Sequence, residues 1–213
     1  YSVIGKRLPR VDGRAKATGE AKFTIDVNLP NMLHGKILRS PHPHARIIHI
    51  DTTRAERLLG VKGVITSKDL SVDKGSAFCY GAFVSDEYPL AFDRVRFIGD
   101  EVAAVAATDE DCAQEALELI QVEYEPLPPV FDPEEATREG APQLHDHAEG
   151  NISWKLYQDL GDVDRGLKDA DHVQEDRFAT HFVSHAPLEP NAAIAHFDSN
   201  GEFTVWASTQ RPF

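Results

Sequence analysis

Apolar and polar residues alternate in several short runs along this chain, and one longer run repeats with the period of a helix. Alternation over residues 21–27 (AKFTIDV), 32–39 (MLHGKILR) and 45–51 (ARIIHID) predicts three strands, because successive side chains of a strand point to opposite faces. The first is opened by the turn-like Thr18-Gly19-Glu20, and Ser-Pro-His-Pro-His joins the other two. Residues 52–60 (TTRAERLLG) read as a short helix, with Thr52 or Thr53 as its cap, Ala55, Leu58 and Leu59 on its apolar side and Gly60 at its end. Residues 62–66 (KGVIT) read as a short buried strand. From Ser67 to about Tyr88 the pattern is irregular.

Residues 93–128 carry the clearest signal. Two strands, 94–98 and 101–106, are predicted to meet at Gly99-Asp100. Thr108 then stands where it can cap a helix whose acidic first turn complements the helix dipole. Cys112, Ala113, Ala116, Leu117 and Ile120 form an apolar stripe at helical period, so Cys112 reads as packed core and not as a reactive thiol. The run IQVEYEPL follows as a strand. A strand–helix–strand with antiparallel pairs on either side indicates an α+β fold and not an all-parallel sheet. The proline-rich, acidic stretch 126–142 reads as a linker. Beyond it the pattern predicts a strand near 152–158, a short helix in GDVDRGLKDAD, a long strand at 172–182 and a hairpin over 191–209 that turns at Asn200-Gly201.

At 213 residues the chain can hold one large domain or two small ones. A net charge of −13 argues against nucleic acid or an anionic membrane as partner, since both need basic patches. There is no apolar run of transmembrane length, and the first residues lack the apolar core of a signal peptide. Cys79 and Cys112 belong to no C-x-x-C pair, which fits neither a disulfide framework nor a zinc or iron–sulfur signature. They suit a reducing compartment, and a cytoplasmic location is expected.

Known catalytic signatures are scarce. No P-loop, G-x-G-x-x-G fingerprint or G-x-S-x-G elbow is present. His42, His44 and His49 crowd one stretch, but the intervening proline favours extended backbone and no carboxylate or thiolate stands nearby, so a turn-to-strand junction is preferred to a metal site. His145-Asp146-His147 could ligate a surface ion, though an exposed polar loop is the preferred reading. His181 and His185 lack a companion carboxylate and read as hydrogen-bonded structural residues. Glu189 is either a buried functional acid or an orienter of backbone amides.

Several segments taken in order say more. RVDGRAKATGEAKFTID, LHGKILRSPHPHARIIHID, EYPLAFDRVRFIGDEVAAVAATDEDCAQEALELIQVEYEPLP, GDVDRGLKDADHVQEDRF, HAPLEPNAAIAHFD and STQRPF together resemble the beginning of the molybdenum-binding large subunit of the xanthine dehydrogenase/aldehyde oxidase family. The resemblance implies an N-terminal extension over 1–12, an α/β hammerhead domain over 13–128, a linker over 129–142 and the N-terminal part of a first molybdopterin-binding domain over 143–213. It implies molybdenum hydroxylation of an aromatic, N-heterocyclic or aldehyde substrate. Water supplies the oxygen, hydride passes to a molybdenum sulfido group, and electrons leave through iron–sulfur clusters, usually to FAD. In that pattern the histidines of SPHPHARI are not ligands.

Gln210 of STQRPF is the one residue that matches the family's molybdenum surroundings, where a glutamine amide hydrogen-bonds an oxo ligand of the metal. The resemblance places no catalytic residue and no metal ligand in this chain. The general-base glutamate and the glycine-rich cofactor loop are expected downstream of Phe213 or on another chain. The molybdenum–molybdopterin site is thus expected to be completed elsewhere, with an Fe–S subunit and an optional FAD subunit as partners and the isolated chain inactive. The alternatives are a reductive dehydroxylation of the 4-hydroxybenzoyl-CoA type and a non-catalytic hammerhead module for assembly or interaction.

Overall fold

The computed structural model describes residues 3–73, 76–77, 79–81, 85–158 and 160–210. Its helices are α1 (Gly13–Thr18), α2 (Thr53–Glu56), α3 (Glu110–Leu119), α4 (Pro133–Ala136) and α5 (Val163–Asp169). Its first strands are β1 (His34–Arg39), β2 (Ala45–Asp51), β3 (Val61–Thr66), β4 (Ser71–Asp73) and β5 (Ser76–Ala77). The later ones are β6 (Arg94–Val95), β7 (Glu101–Ala107), β8 (Gln121–Pro126), β9 (Ala193–Phe197) and β10 (Phe203–Ala207). Every ladder among the described residues is antiparallel, as the α+β reading requires. The chain divides into two compact units, Asn31–Asp171 and Tyr1–Pro30 with His172–Phe213.

In the unit Asn31–Asp171, two three-stranded sheets run in the orders β1-β7-β3 and β6-β2-β8. Strand β7 (EVAAVAA) is mostly small and apolar, as suits a central strand covered on both faces. Its side chains alternate between two cores. Ala103 and Val105 join Ala55, Ala116, Leu117 and Ile120 beneath α2 and α3, whereas Val102 packs with Ala45, Ala91 and Val95. Ile50 and Val122 touch both clusters, so β2 and β8 tie the two cores together.

Helix α3 buries the predicted stripe, with Ala113, Ala116 and Leu117 inside. Its cap is Asp109, not Thr108. The Asp109 carboxylate accepts from the Cys112 amide at 2.8 Å, while Thr108 donates its hydroxyl to that same carboxylate at 3.1 Å. An aspartate one position later, in extended conformation, takes the orphan amide that the sequence assigns to Thr108. The half-buried Cys112 donates its thiol to the Leu59 carbonyl at 3.3 Å. Gly60, at φ +103°, lies so close that a Cβ there would meet Cys112 Sγ at 2.8 Å and Thr108 Oγ1 at 2.9 Å.

Four predicted strands come out differently. Residues 21–27 hold a 3₁₀ turn, Thr24–Asp26, because the Asp26 carboxylate captures the Phe23 amide at 2.9 Å and offers the backbone an alternative to a ladder. The strand expected at 94–98 stops at Val95, where the Arg96 amide turns to Asp100 Oδ2 at 2.8 Å. Neither 152–158 nor 172–182 forms a strand. Alternation marks a face that wants a partner, and among the described residues no strand pairs with either segment.

The second unit carries α1, the 3₁₀ turn and the β9–β10 hairpin. The hairpin turn is wider than a two-residue Asn-Gly turn. Gly201 donates to the Asp198 carbonyl at 3.2 Å and Asp198 to the Glu202 carbonyl at 2.9 Å, with Gly201 at φ +85°. This is a three-residue loop with glycine in the left-handed position. The Asp198 carboxylate accepts from the Asn200 and Glu202 amides, both at 2.8 Å, which fixes the loop from inside.

Candidate functional site

Gln210 follows directly on the β9–β10 hairpin, whose base is held by one serine. Ser208 Oγ accepts from the Ala192 amide at 2.8 Å and lies 3.1 Å from the Pro190 carbonyl, and the Ser208 amide donates to the Ala192 carbonyl at 3.0 Å. These bonds set the direction in which the chain leaves β10. Gln210 itself is exposed, and its amide makes no hydrogen bond among the described residues. A neutral amide in that state fits the task of donating N–H to a bound cofactor.

Glu189 takes the second of its two sequence readings. It is half-buried, and its carboxylate accepts from the Thr24 amide at 3.2 Å, so it orients backbone at the 3₁₀ turn. His181 and His185 are exposed, and no hydrogen bond to either ring holds them among the described residues, so the structure does not support the expected hydrogen-bonded role. The SPHPH stretch is the structural junction expected of it. His44 is buried and its Nδ1 lies 2.8 Å from the Pro128 carbonyl, while His42 packs edge-on against Tyr124 at 4.9 Å.

Sequence reasoning missed a different gathering. His145 and His147 stand beside Asp86, a residue far upstream that no motif connects to them. Asp86 Oδ2 lies 3.6 Å from His145 Nδ1 and 3.5 Å from His147 Nε2. Asp86 is positioned by the antiparallel bridge Tyr80–Glu87, with amide-to-carbonyl distances of 2.8 and 2.9 Å. A cavity of about 290 Å³ opens beside it, lined by Tyr80, Tyr88, Arg96, Asp100 and His145 among others. Burial raises the Asp100 carboxyl above its ordinary pKa, against the bond it accepts from the Arg96 amide. Burial, helped by the Arg96 charge, lowers that of His145. Only the three-dimensional pairing of 80 with 87 could reveal this cluster.

Comparison with known proteins gives two matched stretches, whose bounds differ from those of the two compact units. Residues 18–128 match the family described as aldehyde oxidase and xanthine dehydrogenase, a/b hammerhead domain, and residues 144–213 match the molybdopterin cofactor-binding domain. The chain is 41% identical to a probable xanthine dehydrogenase subunit from Bacillus subtilis (strain 168), over 96% of this chain and 27% of that protein. It is 39% identical to the nicotinate dehydrogenase large molybdopterin subunit of Eubacterium barkeri, over 100% of this chain and 48% of that one. The crystal structure of a Cu,Mo-CO dehydrogenase in its carbon monoxide reduced state superposes with a TM-score of 0.82 at 34% identity, covering 98% of this chain and 28% of that chain. The chain thus spans between 27% and 48% of the length of these curated relatives. Gln210, His145 and His147 fall in the second matched stretch and Asp86 in the first.

Proposed function

Because the chain belongs to the aldehyde oxidase and xanthine dehydrogenase family, we propose that it works as part of a molybdenum-dependent hydroxylase or dehydrogenase acting on an aromatic, N-heterocyclic or aldehyde substrate. The matched stretches support reading 13–128 as the hammerhead domain, 129–142 as a linker and 143–213 as the N-terminal part of a molybdopterin-binding domain. When bound, the molybdenum–molybdopterin group supplies the two-electron redox chemistry. This chain's contribution to it is Gln210. With the group bound, its Nε2–H would donate toward that group and would stabilise negative charge there without moving a proton, because an amide does not titrate usefully.

The observation that carries the assembly reading is the apolar surface before the hairpin. Phe178 is 87% exposed and Phe182 102%, with Val183 and Leu188 also standing out of the protein. Large apolar side chains exposed together in one short stretch mark a surface that another polypeptide covers. The rest of a molybdopterin-binding chain is the occupant this reading names, with an Fe–S subunit and an optional FAD subunit completing the electron path. The reading includes a cytoplasmic setting, and no helix among the described residues is long and apolar enough to cross a membrane.

The test is to tag this chain, purify what it assembles with, and measure molybdenum and turnover. The assembly should contain molybdenum and pterin, and the chain alone should not. Gln210→Ala should keep the assembly intact and lower turnover roughly a hundred- to a thousandfold, the usual cost of one preorganised donor in a dry site. An assembly free of molybdenum, or normal turnover in Gln210→Ala, would overturn the proposal.

A further inference from the structure

Three side chains outside the cofactor reading converge on one point. Asp86 Oδ2 lies 3.6 Å from His145 Nδ1 and 3.5 Å from His147 Nε2, and the three ligand atoms all lie within 4.8 Å of one another. Charge-assisted hydrogen bonds between such groups run to about 2.7–2.9 Å, well short of either spacing. Donor atoms placed tetrahedrally around a cation at about 2.0–2.1 Å stand about 3.3–3.4 Å apart. The two observed separations are too long for the first arrangement and close to the second. We propose that Asp86, His145 and His147 form a binding site for a divalent cation of the zinc class.

The donor set selects the ion. Two imidazole nitrogens and one carboxylate oxygen suit zinc and neighbouring first-row metals, whereas calcium and magnesium require mostly oxygen. The side chain of His147 is 52% exposed, which leaves room for water to complete the coordination.

The site is built before any metal arrives. Between the two histidines, Asp146 turns the other way and takes both guanidinium nitrogens of Arg94 at 3.2 and 3.3 Å. That fork presents the flanking imidazoles together on the side of Asp86. The Gln143 amide and the Ala148 N–H both donate to the His145 carbonyl, at 2.7 and 3.0 Å. Arg96 holds the Leu144 carbonyl at 2.9 Å, and the Asn151 side chain bonds the Leu144 amide and the Ala136 and Pro142 carbonyls, each at 2.9 Å. A bound ion would clip this loop to the Tyr80–Glu87 bridge.

The experiment is a zinc titration of the full 213-residue chain without a histidine tag, by calorimetry, with cobalt(II) as a visible-absorbing substitute. Zinc should bind at one per chain and raise the melting temperature, and magnesium should do neither. Asp86→Asn and His147→Ala should each weaken zinc at least about tenfold and abolish the cobalt ligand-field bands, with unchanged circular dichroism. His49→Ala, which removes an exposed histidine on β2, should bind as the parent does. Failure to bind stoichiometrically, or binding that survives both ligand substitutions, would overturn the site. Molybdenum content is unaffected by any of these outcomes, so the test stands apart from the family reading.

Discussion

Replacing Leu117 by alanine tests the packing beneath α3 directly. The Leu117 side chain is 8% exposed and lies in the cluster of Ala55, Ala103, Val105, Ala116 and Ile120. The substitution removes three carbons, and at about 0.8 kcal/mol for each buried CH₂ the transfer loss is about 2.4 kcal/mol. The void left behind is about 80 Å³ if nothing moves, which at about 24 cal/mol per Å³ adds up to about 1.9 kcal/mol. Three of the five buried neighbours are alanines and Ala103 and Val105 sit on the central strand β7, whereas the partly buried Leu38, Leu58 and Val64 also pack against the cluster and can move toward the space. Collapse is therefore partial and the loss falls between the two limits, about 2.4–4.3 kcal/mol. Urea unfolding followed by circular dichroism measures it, with the exposed Glu118→Ala as the control, expected within about 0.5 kcal/mol of the parent. A Leu117→Ala loss under about 1 kcal/mol, or one equal to the control, would refute this account of the core.

Gly60→Ala should destabilise by at least about 1–2 kcal/mol, since its left-handed backbone disfavours a side chain and the new Cβ would press on Cys112; an unchanged urea midpoint would contradict the close approach. The Cys112 thiol, pushed up by burial and then by Asp109, should label slowly in the native protein and freely in denaturant, and rapid native labelling would end its structural reading. The Asp109 carboxylate is held below its ordinary 3.8, first by the Cys112 amide and then by the Thr108 hydroxyl. Its contribution is thus complete above about pH 4 and lost as pH falls through the lower folded value. Asp109→Asn keeps an acceptor but no charge, so melting temperatures across that acid range should fall less steeply than in the parent.

The helical stripe of α3 is legible because five apolar residues at one period leave no other element that buries them together. The hairpin is equally plain, since Asn200-Gly201 interrupts two alternating runs. Asp26 and Asp100 defeat the pattern in the same way. A short carboxylate takes a nearby amide, and the strand that hydropathy promises ends or never forms. At 172–182 alternation predicts a strand although a strand's existence depends on a neighbour that alternation does not name. Gln210 comes from likeness to a family and from nothing in its own surroundings. Asp86 is illegible altogether, because its meaning arises only when the Tyr80–Glu87 bridge carries it to two histidines in another loop.

Strand β7 occupies the middle of its sheet yet leaves the ribosome after both strands that flank it. A nascent chain that has emerged only to Asp100 holds β1 and β3 as two open edges with no centre between them. The neighbouring sheet waits longer still, since β2 gains its main partner only with β8 at Gln121–Pro126. Order of synthesis and order of assembly therefore run opposite ways across this unit. Closure of long loops precedes most of the reward, which is the signature of slow folding and of exposed edges while translation continues. A chain cut after β3 is not a smaller version of the unit but two strands without the one that makes them a sheet.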